Sequence, residues 1–215
     1  MVHQGFNEAL LTRPPEERLR RRRAEWLRGA GRETPPGRFV VLHVGLCVPR
    51  KELPRALAAV ALMRERGVDA LLVQIGGRFD VDQRRRIAAL GLEPYVVQEP
   101  EVTEDALVAA YHAADVLLLP SSYEGFGLAA LEAMASGLPV VTTGAGGLRE
   151  VVGDAALVVP SGDPAELADA LARVATDPSC RANLAARGLA GAHGRSWAAT
   201  ARGVTAVYEM VRADA

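Results

Sequence analysis

Lysine is nearly absent from this chain of 215 residues: Lys51 is the sole example, and every other Lys/Arg position is arginine. A bias that strong makes the exception worth following. Cysteine is scarce as well. Cys47 and Cys180 lie far apart with no C-x-x-C spacing, which argues against a disulfide framework or a zinc site. His3, His43, His112 and His193 have no metal-ligand spacing, so no metal and no cofactor are expected. Long apolar runs are missing: the longest are strand length, against the roughly twenty residues that span a bilayer. With no charged-then-apolar leader at the start, a cytoplasmic protein is expected. The formal net charge of −1 gives no global pull toward nucleic acid or membrane, and no nucleic-acid partner is expected. The dinucleotide fingerprint G-x-G-x-x-G is absent where it would be needed, since the stretch after the first strand reads Gly45-Leu46-Cys47-Val48-Pro49-Arg50. A P-loop is equally absent, as is any Ser-His-Asp or Cys-His arrangement.

What is present is a core and a period. Apolar residues make up 49% of the chain, enough for one sizeable domain. From Phe39 onward, strand-like runs at 39–44, 70–75, 95–97, 116–119, 139–142 and 156–159 alternate with helical patterns at 54–66, 81–90, 103–113 and 127–136. That alternation predicts an α/β fold, an open parallel sheet with helices on both faces. Asp163-Pro164-Ala165-Glu166 opens a helix with a capping acid, a proline at the first helical position and a glutamate three past the cap. Helices are expected at 164–175, 178–192 and 197–211. Pro35-Pro36-Gly37 marks a hinge. Three parts are expected: 1–38, a linker remnant with a basic helical segment; 39–195, the ligand-binding sheet; and 196–215, a terminal helix.

The basic segment carries Arg18, Arg20, Arg21, Arg22, Arg23 and Arg28. With Leu19, Trp26 and Leu27 on one side, it reads either as a helix docking on anionic lipid at the inner membrane face or as a solvated helix paired with Glu16, Glu17 and Glu25.

The densest chemistry lies in Ser121-Ser122-Tyr123-Glu124-Gly125-Phe126-Gly127-Leu128-Ala129-Ala130-Leu131-Glu132. It follows an apolar strand and sets one carboxylate in the loop at a helix mouth and a second between one and two turns inside the helix. The N–H groups of a first helical turn, with about half a unit of positive dipole charge, favour an anion there. Two acceptor-only side chains beside an anion site suit a ligand with both phosphate and hydroxyls. A nucleotide sugar is such a ligand.

The segment resembles the E-x7-E motif of retaining GT-B glycosyltransferases of family four, or group 1. Leu131-Glu132-Ala133-Met134-Ala135-Ser136-Gly137-Leu138-Pro139-Val140-Val141, Gly146-Gly147-Leu148-Arg149-Glu150-Val151-Val152 and Val158-Val159-Pro160-Ser161-Gly162-Asp163-Pro164 continue the likeness in the family's order. The resemblance covers about residues 39–212 and implies the Rossmann-like C-terminal, donor-binding half of a GT-B fold. It implies that Glu132 binds the nucleotide's ribose and that Glu124 contacts the transferred sugar. Gly125, Phe126, Gly127 and Leu128 would offer backbone to sugar and phosphate, and Lys51, with Arg50 beside it and Gly45 in the same loop, would neutralise the diphosphate. Gly76 and Gly77 form a glycine turn near the donor, and residues 97–102 meet the base. Two positions depart from the pattern: Leu46 stands where the family has arginine, and Glu52 where it has glycine. Both imply weakened or altered donor binding.

Val2-His3-Gln4-Gly5-Phe6-Asn7 resembles the strand and turn after the interdomain crossing, so an N-terminal acceptor domain or partner chain is expected elsewhere. Retention in this family proceeds by front-face attack with the departing phosphate as base, and needs no nucleophile from this part. The alternatives are a non-catalytic nucleotide-sugar-binding module, a subunit of a split transferase, or an epimerase of the same architecture.

Overall fold

The computed structural model describes residues 5–29 and 37–213. Six strands, β1 Phe39–Val44, β2 Ala70–Ile75, β3 Val96–Glu99, β4 Val116–Leu119, β5 Val140–Thr142 and β6 Ala156–Val158, form one parallel sheet in the order β3-β2-β1-β4-β5-β6. This is the doubly wound Rossmann order, which reverses direction between β1 and β4. The helices are α1 Glu16–Gly29, α2 Leu53–Glu65, α3 Val81–Ala89, α4 Glu104–Ala113, α5 Leu128–Ala135, α6 Leu148–Val152, α7 Pro164–Thr176, α8 Pro178–Ala192 and α9 Trp197–Ala213.

Alternate residues of each strand feed two cores. Val40, Leu42, Leu71, Val73, Leu117 and Leu119 pack with α1, α4, α5 and α6. Val41, Leu72, Val116 and Leu118 pack with α2, α3 and α7 on the other face. A strand buried on both faces favours apolar residues at both parities, so these strands read as near-continuous apolar runs, interrupted by His43 in β1 and Gln74 in β2. Edge strand β3 is only half buried and starts one residue later than its composition predicts. Glu93-Pro94-Tyr95 there closes a 3-10 turn around the fixed φ of proline. Helix α6 was not anticipated, because five residues show too little period. At α7 the Asp163 carboxylate caps Ala165 and Glu166 as expected, while the Glu166 carboxylate accepts instead from the Ser161 hydroxyl.

The basic helix α1 corrects the lipid-docking expectation for its apolar face. Leu19 and Trp26 are buried in the core beside α4. The Trp26 indole donates to Glu99 at 3.0 Å, Arg22 pairs with the same carboxylate, and Arg23 reaches the Ala113 and Arg38 carbonyls and Asp115. Arg20 pairs with Glu16, and Arg21 and Arg22 with Glu25. No helix among the described residues is long and apolar enough to cross a membrane. Residues 2–4 of the predicted N-terminal strand, with Pro35 and Pro36 of the hinge, lie outside the described residues; Phe6 makes a parallel bridge to Ser196.

Among the described residues Glu52 is the one non-glycine with positive φ, 52°, at the start of α2. A Cβ in the left-handed region costs about 1–2 kcal/mol. The Glu52–Arg55 ion pair at 3.3 Å is partly exposed and returns little of that. Glu52→Gly is therefore expected to raise unfolding stability by about 1 kcal/mol, read as a higher urea midpoint with an unchanged slope.

Candidate functional site

Two loops meet at the C-terminal edge of the sheet, at the point of reversal between β1 and β4, where open α/β sheets bind ligands. After β1 the chain runs through Gly45 to the 3-10 turn Pro49–Lys51, and after β4 it runs through Ser121 and Glu124 to Gly127, the N-cap of α5. The Ser122 amide donates to the Arg50 carbonyl at 2.9 Å and ties the loops together.

Across that tie Lys51 Nζ lies 2.5 Å from Glu124 Oε1, with the two side chains only 12% and 9% exposed. Ser121 Oγ donates to the same oxygen at 2.9 Å, and the Arg50 guanidinium stands 3.6 Å from Oε2. The chain's sole lysine thus pairs with Glu124. Glycines make the approach feasible. A Cβ on Gly45 would come within 3.0 Å of Lys51 Cε, and one on Gly146 within 2.3 Å of the Glu124 carbonyl oxygen. Gly127, at φ 95°, would strike the Leu148 side chain, and it offers no side chain to cap α5, so the helix mouth is left to backbone N–H groups. Gly125 differs: a Cβ there meets open space. Phe126 and Leu128 are half buried at the helix start.

The glycine turn Gly76-Gly77 follows β2 with φ of 101° and 77°, packed onto the Gly45 and Cys47 backbone. Gln74, fully buried, donates to the Gly45 carbonyl at 2.8 Å and to the Gly76 carbonyl at 2.5 Å, and accepts from Gln98 at 3.1 Å. A polar residue inside an otherwise apolar strand is the signal that would have revealed Gln74 as the pin between these turns.

His43 ends the buried part of β1 beneath Lys51. It is fully buried, its ring lies against the Lys51 backbone, and neither ring nitrogen closes a hydrogen bond. Burial first, and then the Lys51 ammonium, lower its pKa to about 4, so it is a neutral imidazole at physiological pH.

Glu132 stands apart from the Lys51–Glu124 pair. One turn into α5, its Oε2 accepts the Tyr111 hydroxyl at 2.7 Å, and burial raises its pKa against the lowering effect of that bond. The two departures from the family pattern are both visible. Leu46 is 57% exposed on the loop, and the Glu52 carboxylate is bound to Arg55. Cys47 and Cys180 are free thiols, and no cluster of three or more His, Cys, Asp or Glu able to hold a metal occurs among the described residues. Beside the site a cavity of about 420 Å³ is lined by Val48, Pro49, Glu52, Asp80, Asp82 and Arg86, with no contribution from Lys51 or Glu124.

Comparison with known proteins places this architecture. The family described as glycosyl transferases group 1 matches residues 30–190. A D-inositol 3-phosphate glycosyltransferase of Pseudarthrobacter chlorophenolicus is 36% identical over 174 residues, 77% of this chain and 41% of the relative. The chain spans about two fifths of the length of such curated relatives. Among solved structures, sucrose-phosphate synthase from Thermosynechococcus elongatus superposes with TM-score 0.81 at 29% identity, over all of this chain and 53% of that one. Anabaena HepE in complex with UDP and glucose superposes with TM-score 0.84 at 22% identity, over 97% of this chain and 56% of that one, a likeness of fold. With that match covering more than half of its length, the chain belongs to the glycosyl transferases group 1 family.

Proposed function

We propose that this chain is the donor-binding part of a retaining glycosyltransferase, which holds a nucleotide diphosphate sugar and transfers the sugar when a second domain presents the acceptor. The observation that carries the reading is the meeting of Lys51, Glu124 and the uncapped mouth of α5, remote in sequence, at the reversal point of the sheet. An ammonium has three donors, and Glu124 engages one, which leaves capacity for a diphosphate. There Lys51 stabilises charge as it develops on the departing nucleotide, with Arg50 beside it. Glu124 accepts hydroxyls of the sugar and steadies positive charge at the anomeric carbon. Phe126, Gly127 and Leu128 supply backbone N–H groups, while Gly45, Gly76 and Gly77 let main chain approach the ligand closely. Glu132 takes the ribose hydroxyls. The departing phosphate serves as base, so no nucleophile from this chain enters the step.

Transfer needs a closed cleft that aligns the acceptor and excludes water. Helix α9 supports a covering partner domain. Trp197, Val204, Tyr208 and Val211 are exposed at spacings of one helical face, an apolar stripe left uncovered among the described residues. Contact with an anionic membrane through residues 18–28 would rest on guanidinium charge alone, because Leu19 and Trp26 are buried. The second reading, a non-catalytic donor-binding module or subunit, is favoured by one feature: Leu46 removes a cation that the family places on the diphosphate.

Calorimetric titration with UDP, GDP and ADP tests the donor site. One of the three is expected to bind, and Lys51→Ala to weaken it by at least about tenfold, or ~1.4 kcal/mol. Binding of none defeats the donor-site reading, and robust transfer by the chain alone defeats the need for a second domain.

A further inference from the structure

The motif acid Glu132 has a partner that no motif names. Tyr111 projects from the last turns of α4, with side chains leaning toward the helix N-terminus, and its hydroxyl meets Glu132 Oε2 at 2.7 Å. The ring is fully buried among the α4, α5 and sheet residues of one core, so its orientation is set by packing. The phenol stays protonated at any ordinary pH, because burial and the Glu132 charge push its pKa well above the usual value. It therefore acts as a permanent donor to one carboxylate oxygen.

We propose that Tyr111 is a positioning residue of the nucleotide subsite, a buried strut whose hydroxyl fixes the Glu132 carboxylate so that its remaining lone pairs receive the ribose hydroxyls. The proposal rests on the donor-site reading above. A half-buried carboxylate on a three-torsion side chain otherwise samples several rotamers, and an acceptor that must meet two hydroxyls at once gains from having one oxygen already held. The bond also governs charge. Glu132 lies under two raising influences, burial and the carboxylate of Glu104 in the first turn of α4, and the Tyr111 bond is the lowering one. Glu104 is itself bound by the Asn7 amide from the segment packed over α4 and α5. Removing the hydroxyl leaves the raising influences unopposed, so Glu132 takes up its proton at higher pH and stops being a pure acceptor.

A buried tyrosine that merely satisfies its own hydroxyl would affect stability and nothing else, and this separates the two roles. Tyr111→Phe keeps the ring and its packing. The experiment titrates wild type, Tyr111→Phe and Glu132→Gln with whichever of UDP, GDP and ADP binds tightest and with its 2′-deoxy form, from about pH 5 to about pH 8. Alongside it, carboxyl-carbon NMR follows Glu132 without ligand. Wild type is expected to prefer the ribose form. In Tyr111→Phe that preference falls by roughly tenfold, the loss of a hydrogen bond to a charged group. The acid limb of its binding moves to higher pH together with the Glu132 carboxyl titration, whereas Glu132→Gln has no such limb. An unchanged ribose preference and an unmoved Glu132 titration in Tyr111→Phe overturn the positioning role. Absence of nucleotide binding in wild type overturns the donor-site reading instead, and with it the role assigned here. A wild type that binds both sugar forms equally removes the ribose from Glu132.

Discussion

Glu124→Ala is expected to cost about 3 kcal/mol of folding stability, far more than a surface acid is worth, because it strands the Lys51 ammonium in a site only 12% exposed. The alternative carboxylates are out of reach: Glu52 is held by Arg55, and Glu132 is turned to Tyr111. The paired substitution Glu124→Ala with Lys51→Met removes both charges and fills part of the space with apolar atoms, so it is expected to recover most of the loss. Lys51→Met alone should fall between, since Glu124 keeps its Ser121 hydrogen bond and the Arg50 guanidinium nearby. Urea denaturation of the four proteins measures the coupling between the two charges. A double variant no more stable than Glu124→Ala, or a single variant that costs less than about 1 kcal/mol, contradicts the picture of a desolvated pair. The proposed donor site would then work by a trade of partners: Lys51 is paired with Glu124 in the free protein, and an arriving diphosphate would compete for the ammonium while sugar hydroxyls took up the carboxylate.

Acidification from neutral pH to about pH 4 is expected to remove about 3 kcal/mol through His43 alone. The histidine is buried without a hydrogen bond and titrates at about 4 in the fold, against the ordinary 6.5. Between those values the unfolded chain binds the proton and the folded chain does not, so stability falls as the pH drops through this window and is fully retained above it. His112, lowered by burial, contributes in the same direction. Glu132, whose pKa is raised, contributes in the opposite one. Asp69, raised by burial but brought down further by hydrogen bonds from Arg64 and Arg38, loses its contribution only at lower pH, below the usual carboxylate value. The slope attributable to His43 is therefore the difference between wild type and His43→Leu, measured by urea denaturation between about pH 4 and pH 7. Equal slopes in the two proteins would falsify the assignment.

Much of this architecture was legible before any coordinates. Strands β1, β2 and β4 fall where their apolar runs predict, because burial on both faces favours apolar residues at both parities, and Pro164 and Pro178 announce the first turns of α7 and α8. The motif points to Glu124, Gly127 and Glu132 and composition to Lys51, and the fold brings Lys51 against Glu124. The misses have a common cause, which is that local pattern carries no information on what an element packs against. Helix α1 has an amphipathic arginine-rich face that reads equally as a membrane or a domain contact, and only the fold shows Trp26 beneath Glu99. Tyr111 looks like an ordinary residue of an apolar segment, and the polar interruptions His43 and Gln74 do not say what they meet, yet the three respectively hold Glu132, lie under Lys51 and pin the glycine turns. The Lys51–Glu124 bond itself spans 73 positions and is invisible to any window of sequence.

On the proposed reading, the nucleotide diphosphate sits where the Pro49–Lys51 turn faces the mouth of α5. Backbone amide NMR during titration with the tightest binder among UDP, GDP and ADP reads this directly. The largest shifts are predicted at Lys51, Gly127 and Leu128, with smaller ones at Gly76 and Gly77. Shifts gathered instead around the Asp80 and Arg86 cavity, with Lys51 and Gly127 unmoved, would contradict it.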